Sequence, residues 1–259
     1  MNARPAPCAM LWIGPALSAV ERACMRSVLA QGHRLTLYLY DPVEGVPEGA
    51  IVEDAAQILP REAIVRHHSG SVALFSDRFR FELQRRGKGI WLDTDVYLLA
   101  PLELSAHGNL FGWIEPGLLG AGVLALPPDS PLIAPLLRLF ELPYVPDWLR
   151  LPDRVRAHWR RWREGRIDIA RLPWGVAGPL ALTALARRHG VLGRALPRPV
   201  LYPWDWREAG WVFDPARSLD EFVRPETNAL HLYNYMISGR KAEPAPPGSF
   251  MARLQQEGE

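Results

Sequence analysis

Cysteine is nearly absent: the 259 residues hold two, Cys8 and Cys24. Two cannot form a disulfide framework, and their spacing is not that of a metal-binding set, so buried thiols are the plain expectation. Nothing then requires an oxidising compartment, and a cytoplasmic chain is expected. A surplus of one charge is lacking too. The formal net charge is +2, too little to imply a nucleic-acid partner, and none is expected. Long uncharged apolar runs are also missing, so no segment reads as spanning a bilayer. The stretch "PAPCAMLWIGPALSAV" resembles the apolar part of a signal peptide only superficially, because Pro7, Gly14 and Pro15 interrupt it. Residues 10–13 read instead as a first strand. With no internal repeat either, the expectation is a soluble or membrane-peripheral globular protein.

What is present is ordinary globular composition, 48% hydrophobic and 22% charged, at a length that suits one large α/β domain. After the first strand, "LSAVERACMRSVLAQG" carries Val20, Cys24 and Val28 at helical spacing and ends on Gly32, which fits a helix C-terminus. "HRLTLYLYD" follows as a second strand. This β-α-β opening starts a parallel sheet. "IVEDAAQIL" reads as a strand end entering a short helix, 71–86 as a helix closed by Gly87 and Gly89, and "IWLDTDVYLL" as the next strand. Two strands are expected within 109–126, a helix over 131–142, another over 177–189, a short strand at "RPVLYP" and a last ordered piece at "NALHLYNYM". The domain is expected over 1–237, with 143–172 as a helical insertion or lid and 238–259 as a Pro-rich flexible tail of linker composition.

Asp93 and Asp95 stand one residue apart between apolar runs. In an extended chain, residues two apart point to the same side, so both carboxylates would aim at one spot. Such neighbours repel unless one is protonated or a cation lies between them, and a hard divalent ion with oxygen ligands is the simplest resolution. The competing expectation is a tight turn with both aspartates solvated. Upstream, Ser76, Asp77 and Arg80 share one helix face, while Val72, Phe75, Phe79 and Leu83 share another. An exposed Asp77–Arg80 ion pair is the plain alternative there, and would contribute little.

Together, "FSDRFRFELQRRGKGIWLDTDV" resembles the block of sugar transferases that carry a Ser-Asp-x-x-Arg helix, a glycine pair, an aromatic residue and then Asp-x-Asp. It is most similar to glycosyltransferase family 32. "LWIG" near the start resembles that family's first strand, and "GPLALT" (178–183) and "HLYNY" (231–235) resemble its later motifs. The chain departs from the pattern at Lys88, inside the glycine pair, and at Tyr233, where Trp usually follows "HL".

The resemblance implies a GT-A fold, a Rossmann-like α/β sandwich, and a metal-dependent enzyme that moves a hexose from a nucleotide-diphosphate sugar to a glycan or lipid-linked acceptor. It implies Mn²⁺ or Mg²⁺ as cofactor, a uracil base on the donor with guanine as the second choice, retention of configuration and front-face attack. By motif position, Asp95 would bind the metal directly, and Asp93 would bind the ribose and the metal. Ser76, Asp77 and Arg80 would hold the donor sugar and diphosphate. Trp12 and Gly14 would border the base and ribose. His231 would be a further ligand for metal or phosphate, against the alternative of a hydrogen-bonded core histidine. Two other classes compete. A phosphohydrolase of the haloacid dehalogenase type also places Asp-x-Asp after an apolar strand, but Tyr97 and the scattered Asp205, Asp214 and Asp220 fit it poorly. A non-catalytic sugar-binding module would not need the Ser-Asp-x-x-Arg helix.

The segment 143–172 is rich in Trp and Arg. Pro152 stands at a helix start, and Val155, Trp159 and Trp162 follow at helical spacing. A lid whose apolar side packs on the core is the favoured expectation. Contact with a membrane surface or a lipid-linked acceptor is the alternative.

Overall fold

The computed structural model describes residues 5–141 and 144–259. Leu142, the last residue of the helix expected over 131–142, and Pro143, the first of the expected insertion, lie outside the described residues. The elements run β1 (Cys8–Trp12), α1 (Ala19–Ala30), β2 (Leu35–Leu39), β3 (Ile51–Asp54), α2 (Ala73–Arg85), β4 (Ile90–Leu92) and β5 (Val96–Leu98). They continue through β6 (Trp113–Glu115), β7 (Leu118–Leu119), β8 (Val123–Leu124), α3 (Ile133–Glu141), α4 (Leu151–Glu164) and α5 (Pro179–Arg188). The chain closes with α6 (Arg198–Leu201), β9 (Ala229–His231), α7 (Asn234–Ile237) and α8 (Phe250–Gly258).

The main sheet has the order β3-β2-β1-β4-β8. β3, β2, β1 and β4 are parallel, and β8 adds an antiparallel edge. The chain therefore steps outward from β1 through β2 to β3, then returns to place β4 on the other side of β1. That reversal is a Rossmann-like switch point at the C-terminal ends of β1 and β4, at Trp12 and Leu92. Period-two alternation sorts the strands onto two faces. Ala9, Tyr38, Trp91 and Leu124 face α2, where Phe75, Phe79 and Leu83 join the same core. Cys8, Met10, Leu35, Leu37 and Ile90 face the other way, with Met25 and Val28 of α1. β2 is buried at every position, as a strand covered on both faces must be.

Four expectations need correction. "IWLDTDVYLL" is not one strand: β4 belongs to the main sheet, β5 pairs with β9, and the chain turns between them. The span 109–126 holds three short strands rather than two. "RPVLYP" forms the helical turn α6, with Pro199 in its first turn, where the missing N–H costs nothing. The expected flexible tail ends in a packed helix. Ser249 caps α8, whose Phe250, Met251 and Leu254 are buried against α1 and the 206–213 turn, and Arg22 Nε donates to the Gly258 carbonyl at 2.6 Å. The composition of 238–248 is linker-like, but the apolar residues that follow supply the docking face.

Leu149, Ile169 and Leu172 of the expected insertion pack in the core, but the apolar stripe of its helix does not. Within α4 only Ala157 is buried, while Val155, Trp159 and Trp162 face solvent. Among the described residues, no helix is long and apolar enough to cross a membrane.

Candidate metal centre

The turn that separates β4 from β5 creates the site. Asp93 N donates to the Gly122 carbonyl at 2.8 Å, which extends the β4–β8 pairing by one residue. Val96 N then donates back to the Asp93 carbonyl at 3.0 Å, closing a tight turn over 93–96. β5 leaves in register with β9, Val96 opposite His231. Leu232 N bonds the Asp95 carbonyl at 3.0 Å. Next, Tyr233 adopts the left-handed conformation, φ 56° and ψ 65°, which a bulky residue rarely adopts without support from its surroundings. Its hydroxyl donates to the Trp204 carbonyl at 3.1 Å. The bend aims Asn234 N at Asp95 Oδ2, 2.6 Å away. The carboxylates thus converge as the sequence suggested, but through a turn rather than through strand alternation. The turn is not the solvated alternative either, because Asp95 is only 6% exposed.

Asp93, Asp95 and His231 each bring one ligand atom to within 4.8 Å of the others. His231 Nε2 lies 3.7 Å from Asp93 Oδ2 and 3.6 Å from Asp95 Oδ1. These separations exceed hydrogen-bond length. They suit the ligands of one shared cation, which for metal–oxygen bonds of about 2.1 Å stand roughly 3–4 Å apart. Nδ1 of His231 is buried with no hydrogen-bond partner, so a hydrogen-bonded core histidine does not describe it. Its ring is set edge-on between Tyr202 and Tyr233, at centroid distances of 5.7 and 4.5 Å. Burial disfavours the imidazolium, but the charges of Asp95 and Asp93 outweigh it and hold the His231 pKa above its ordinary value. Two carboxylates and an imidazole fit a divalent cation such as Mn²⁺ or Mg²⁺.

Behind this group sits Arg80, 5% exposed on α2. Its guanidinium donates to the Ala121 carbonyl at 2.5 Å and to Ser76 Oγ at 3.2 Å, and it reaches Asp93 at 3.2 Å and Asp77 at 3.5 Å. It also lies 5.1 Å from the ring centroid of Trp91, whose Nε1 bonds Asp93 Oδ1 at 2.8 Å. The Asp77–Arg80 pair is therefore buried, not the exposed pair of the plain reading. One guanidinium shared by two carboxylates separates their affinities for protons. For Asp93, burial favours the neutral acid, but Arg80, His231 and Trp91 more than offset it and hold the pKa below the usual carboxylate range. Asp77 has the longer contact to Arg80, and burial pushes it up to about 7 despite that charge.

A pH dependence follows for the metal-free protein. An aspartate with an unfolded pKa of about 3.9 and a raised folded value binds its proton more tightly in the native state. Folding is favoured by that proton at low pH, and stability falls as pH rises from about 4 through about 7, by roughly 4 kcal/mol at most. Asp77→Asn keeps the shape and removes the titration. Its melting temperature, measured in chelator, should overtake that of the wild type as pH rises from about 5 to about 8. Parallel melting curves for the two proteins across that range would contradict the assignment.

The backbone of 120–122 forms the floor of the centre. A Cβ on Gly122 would stand 2.9 Å from His231 Nε2 and 3.0 Å from Asp93 Oδ2, and one on Gly120 would strike the Tyr202 ring. Tyr202 in turn accepts a hydrogen bond from Val123 N at 3.1 Å. Gly122→Ala should spread the ligands and weaken divalent-cation binding by roughly ten- to a hundredfold, the usual effect of disturbing groups around a metal's ligands. Titration of the cation by calorimetry checks this, and unchanged affinity would contradict it. Gly178, at the start of α5, packs on Asp77, since a Cβ there would stand 2.5 Å from its carboxylate. That contact brings the "GPLALT" segment to the site.

The structure thus joins Ser76, Asp77, Arg80, Asp93, Asp95 and His231 in one connected cluster. Trp12 and Gly14 stand at the neighbouring end of β1, on the other side of the switch point. Gly14 packs on the Trp12 indole, whose Nε1 is buried and unpaired. Lys241 lies 6.0 Å from that ring centroid and pairs with the buried Glu21. No hydrogen bond or ion pair links Trp12 to the carboxylates among the described residues. Beyond the glycines between the short apolar pieces of 109–126, nothing in local sequence pattern marks Gly120, Gly122 or Tyr202 as part of the centre.

Fold and centre define a mixed α/β protein with a mainly parallel sheet and a candidate divalent-cation site at its switch point. No family model and no curated protein matches the chain. Among solved structures, the PaToxG glycosyltransferase is similar at 14% identity and a TM-score of 0.45, over 74% of each chain. That likeness is too slight to assign a fold or an activity.

Proposed function

We propose that the chain is a metal-dependent glycosyltransferase of GT-A type that moves a hexose from a nucleotide-diphosphate sugar, with uracil as base, to a glycan or lipid-linked acceptor. One observation carries the reading: Asp93, Asp95 and His231 converge within 4.8 Å at the end of β4, beside the topological switch point, the place where α/β sheets bind nucleotides. The motif resemblance supports it by matching the same residues. Bound there, Mn²⁺ or Mg²⁺ supplies Lewis-acid stabilisation of the charge that grows on the leaving diphosphate.

In this reading Asp95 and His231 hold the cation, and Asp93 holds both cation and ribose. Trp12 and Gly14 border the base. Arg80 keeps Asp93 and Asp77 in place, since its guanidinium is already enclosed by Ser76, Asp77, Asp93 and Ala121. Ser76 and Asp77 line the donor-sugar side. Transfer breaks the bond between the anomeric carbon and the diphosphate oxygen, and forms one to an acceptor hydroxyl oxygen. The hydroxyl proton passes to the departing diphosphate on the same face, which retains configuration. The commitment of Asp93 and Asp95 to the cation supports front-face attack over a covalent carboxylate intermediate.

A phosphohydrolase would need a later acidic residue at the cation. The third member of the cluster is instead His231, and Asp205 is occupied by Arg207, 3.0 Å away. The test is release of nucleoside diphosphate from a panel of UDP- and GDP-sugars, with Mn²⁺ or with EDTA. The expected result is metal-dependent release from a UDP-hexose. Phosphate release from phosphomonoesters, with no diphosphate released from any nucleotide-sugar, would contradict the proposal.

A further inference from the structure

α4 carries its apolar stripe on the outside. On a helix of about 100° per residue, Leu151, Val155, Trp159 and Trp162 occupy a sector roughly 80° wide. Ala157, the one buried residue of the helix, lies nearly opposite. The stripe is 64%, 59%, 54% and 81% exposed along that order. This inverts the usual arrangement, in which the apolar face of a surface helix turns to the core.

Charge frames the stripe. Arg156 and Arg163 flank it on one side, and Arg154 and Arg161 on the other, by the same spacing. Arg163 lies over the Trp159 ring at 5.3 Å. The acids of the helix are Asp153, which pairs with Arg156 at 3.2 Å, and Glu164, which pairs with Arg171 at 3.3 Å. The remaining arginines leave a basic rim around an exposed Trp-rich ridge.

We propose that α4 is a membrane-surface helix that docks the chain on a bilayer containing anionic lipid. The ridge enters the boundary between headgroups and acyl chains, where the amphipathic Trp ring is well accommodated. The arginine rim meets the lipid phosphates, to which guanidinium offers paired donors. Charge complementarity selects this occupant. A second copy of the same face would set one arginine rim against another. A nucleic acid would meet the arginines but leave Leu151 and Val155 unused. The proposal stands independently of the glycosyltransferase reading, because no residue of the metal centre takes part.

Flotation of the full chain with vesicles tests it. With phosphatidylcholine containing roughly one third phosphatidylglycerol, the wild type should float, and less so at high salt. With phosphatidylcholine alone it should stay in solution. The double substitution Trp159→Ser and Trp162→Ser should cut flotation by roughly tenfold or more. Its melting temperature should match the wild type, since both side chains face solvent, and this check separates loss of docking from loss of fold. Arg161→Gln with Arg163→Gln should weaken flotation and flatten its salt dependence. Absence of flotation with the anionic vesicles would overturn the proposal. So would flotation unchanged by the Trp substitutions, or duplex DNA binding or a concentration-dependent dimer that those substitutions abolish without any vesicle binding.

Discussion

Asp95→Asn is expected to lower metal-dependent donor turnover about a hundredfold or more, the scale of a lost group that stabilises transition-state charge. The geometry makes this a narrow test. Asn234 N donates to Asp95 Oδ2 at 2.6 Å, and an asparagine oxygen can still accept that bond, so the backbone of the site should hold. What disappears is one negative charge at 3.6 Å from His231 Nε2. Without cation, the variant should melt at the wild-type temperature or above it, because one of two neighbouring carboxylates has gone. With Mn²⁺, the wild type should gain melting temperature by mass action and the variant should not. Normal turnover by Asp95→Asn in EDTA would remove the metal from the mechanism.

The second large effect is expected from Arg80→Ala. This substitution should cost stability and activity together. It leaves Asp77, 7% exposed, and Asp93 without their shared guanidinium, and breaking a buried ion pair from one side typically costs about 3–5 kcal/mol. Arg80→Lys should rescue little, because one ammonium cannot reproduce contacts to the Ala121 carbonyl, Ser76 Oγ and both carboxylates. Urea denaturation reads the first effect and donor hydrolysis the second. A stability loss well under 1 kcal/mol, the value of a surface pair, with unchanged kinetics would show that the cluster does not work as a unit.

The parallel sheet was legible because local pattern determines it. Val20, Cys24 and Val28 mark α1, Gly32 ends it with φ +79°, and the β-α-β order then fixes the strand direction. The cluster of Ser76, Asp77 and Arg80 was legible because helical spacing places them together before any tertiary contact forms. The turn at 93–96 was not, since an apolar-Asp-Thr-Asp-apolar run is compatible with one strand. Only pairing with β8 on one side and β9 on the other splits it. α8 escaped notice because its docking face, Phe250, Met251 and Leu254, follows a proline-rich stretch whose composition dominates the local reading. The outward ridge of α4 was hidden for a related reason: periodicity reports that a helix has an apolar face, but not what lies opposite it.

A direct test of the central proposal is cation titration of the wild type and of His231→Ala in the presence of UDP, followed by melting temperature. His231 lies far in sequence from Asp93 and Asp95, so its involvement depends on the fold and not on the Asp-x-Asp motif. A divalent centre predicts a saturable, Mn²⁺-dependent rise in the wild type that is strongly reduced in His231→Ala, each rise measured from that protein's own melting temperature in EDTA, which the loss of the packed ring lowers in the variant. Equal Mn²⁺-dependent rises in both proteins, or none in either, would contradict a metal centre built from Asp93, Asp95 and His231.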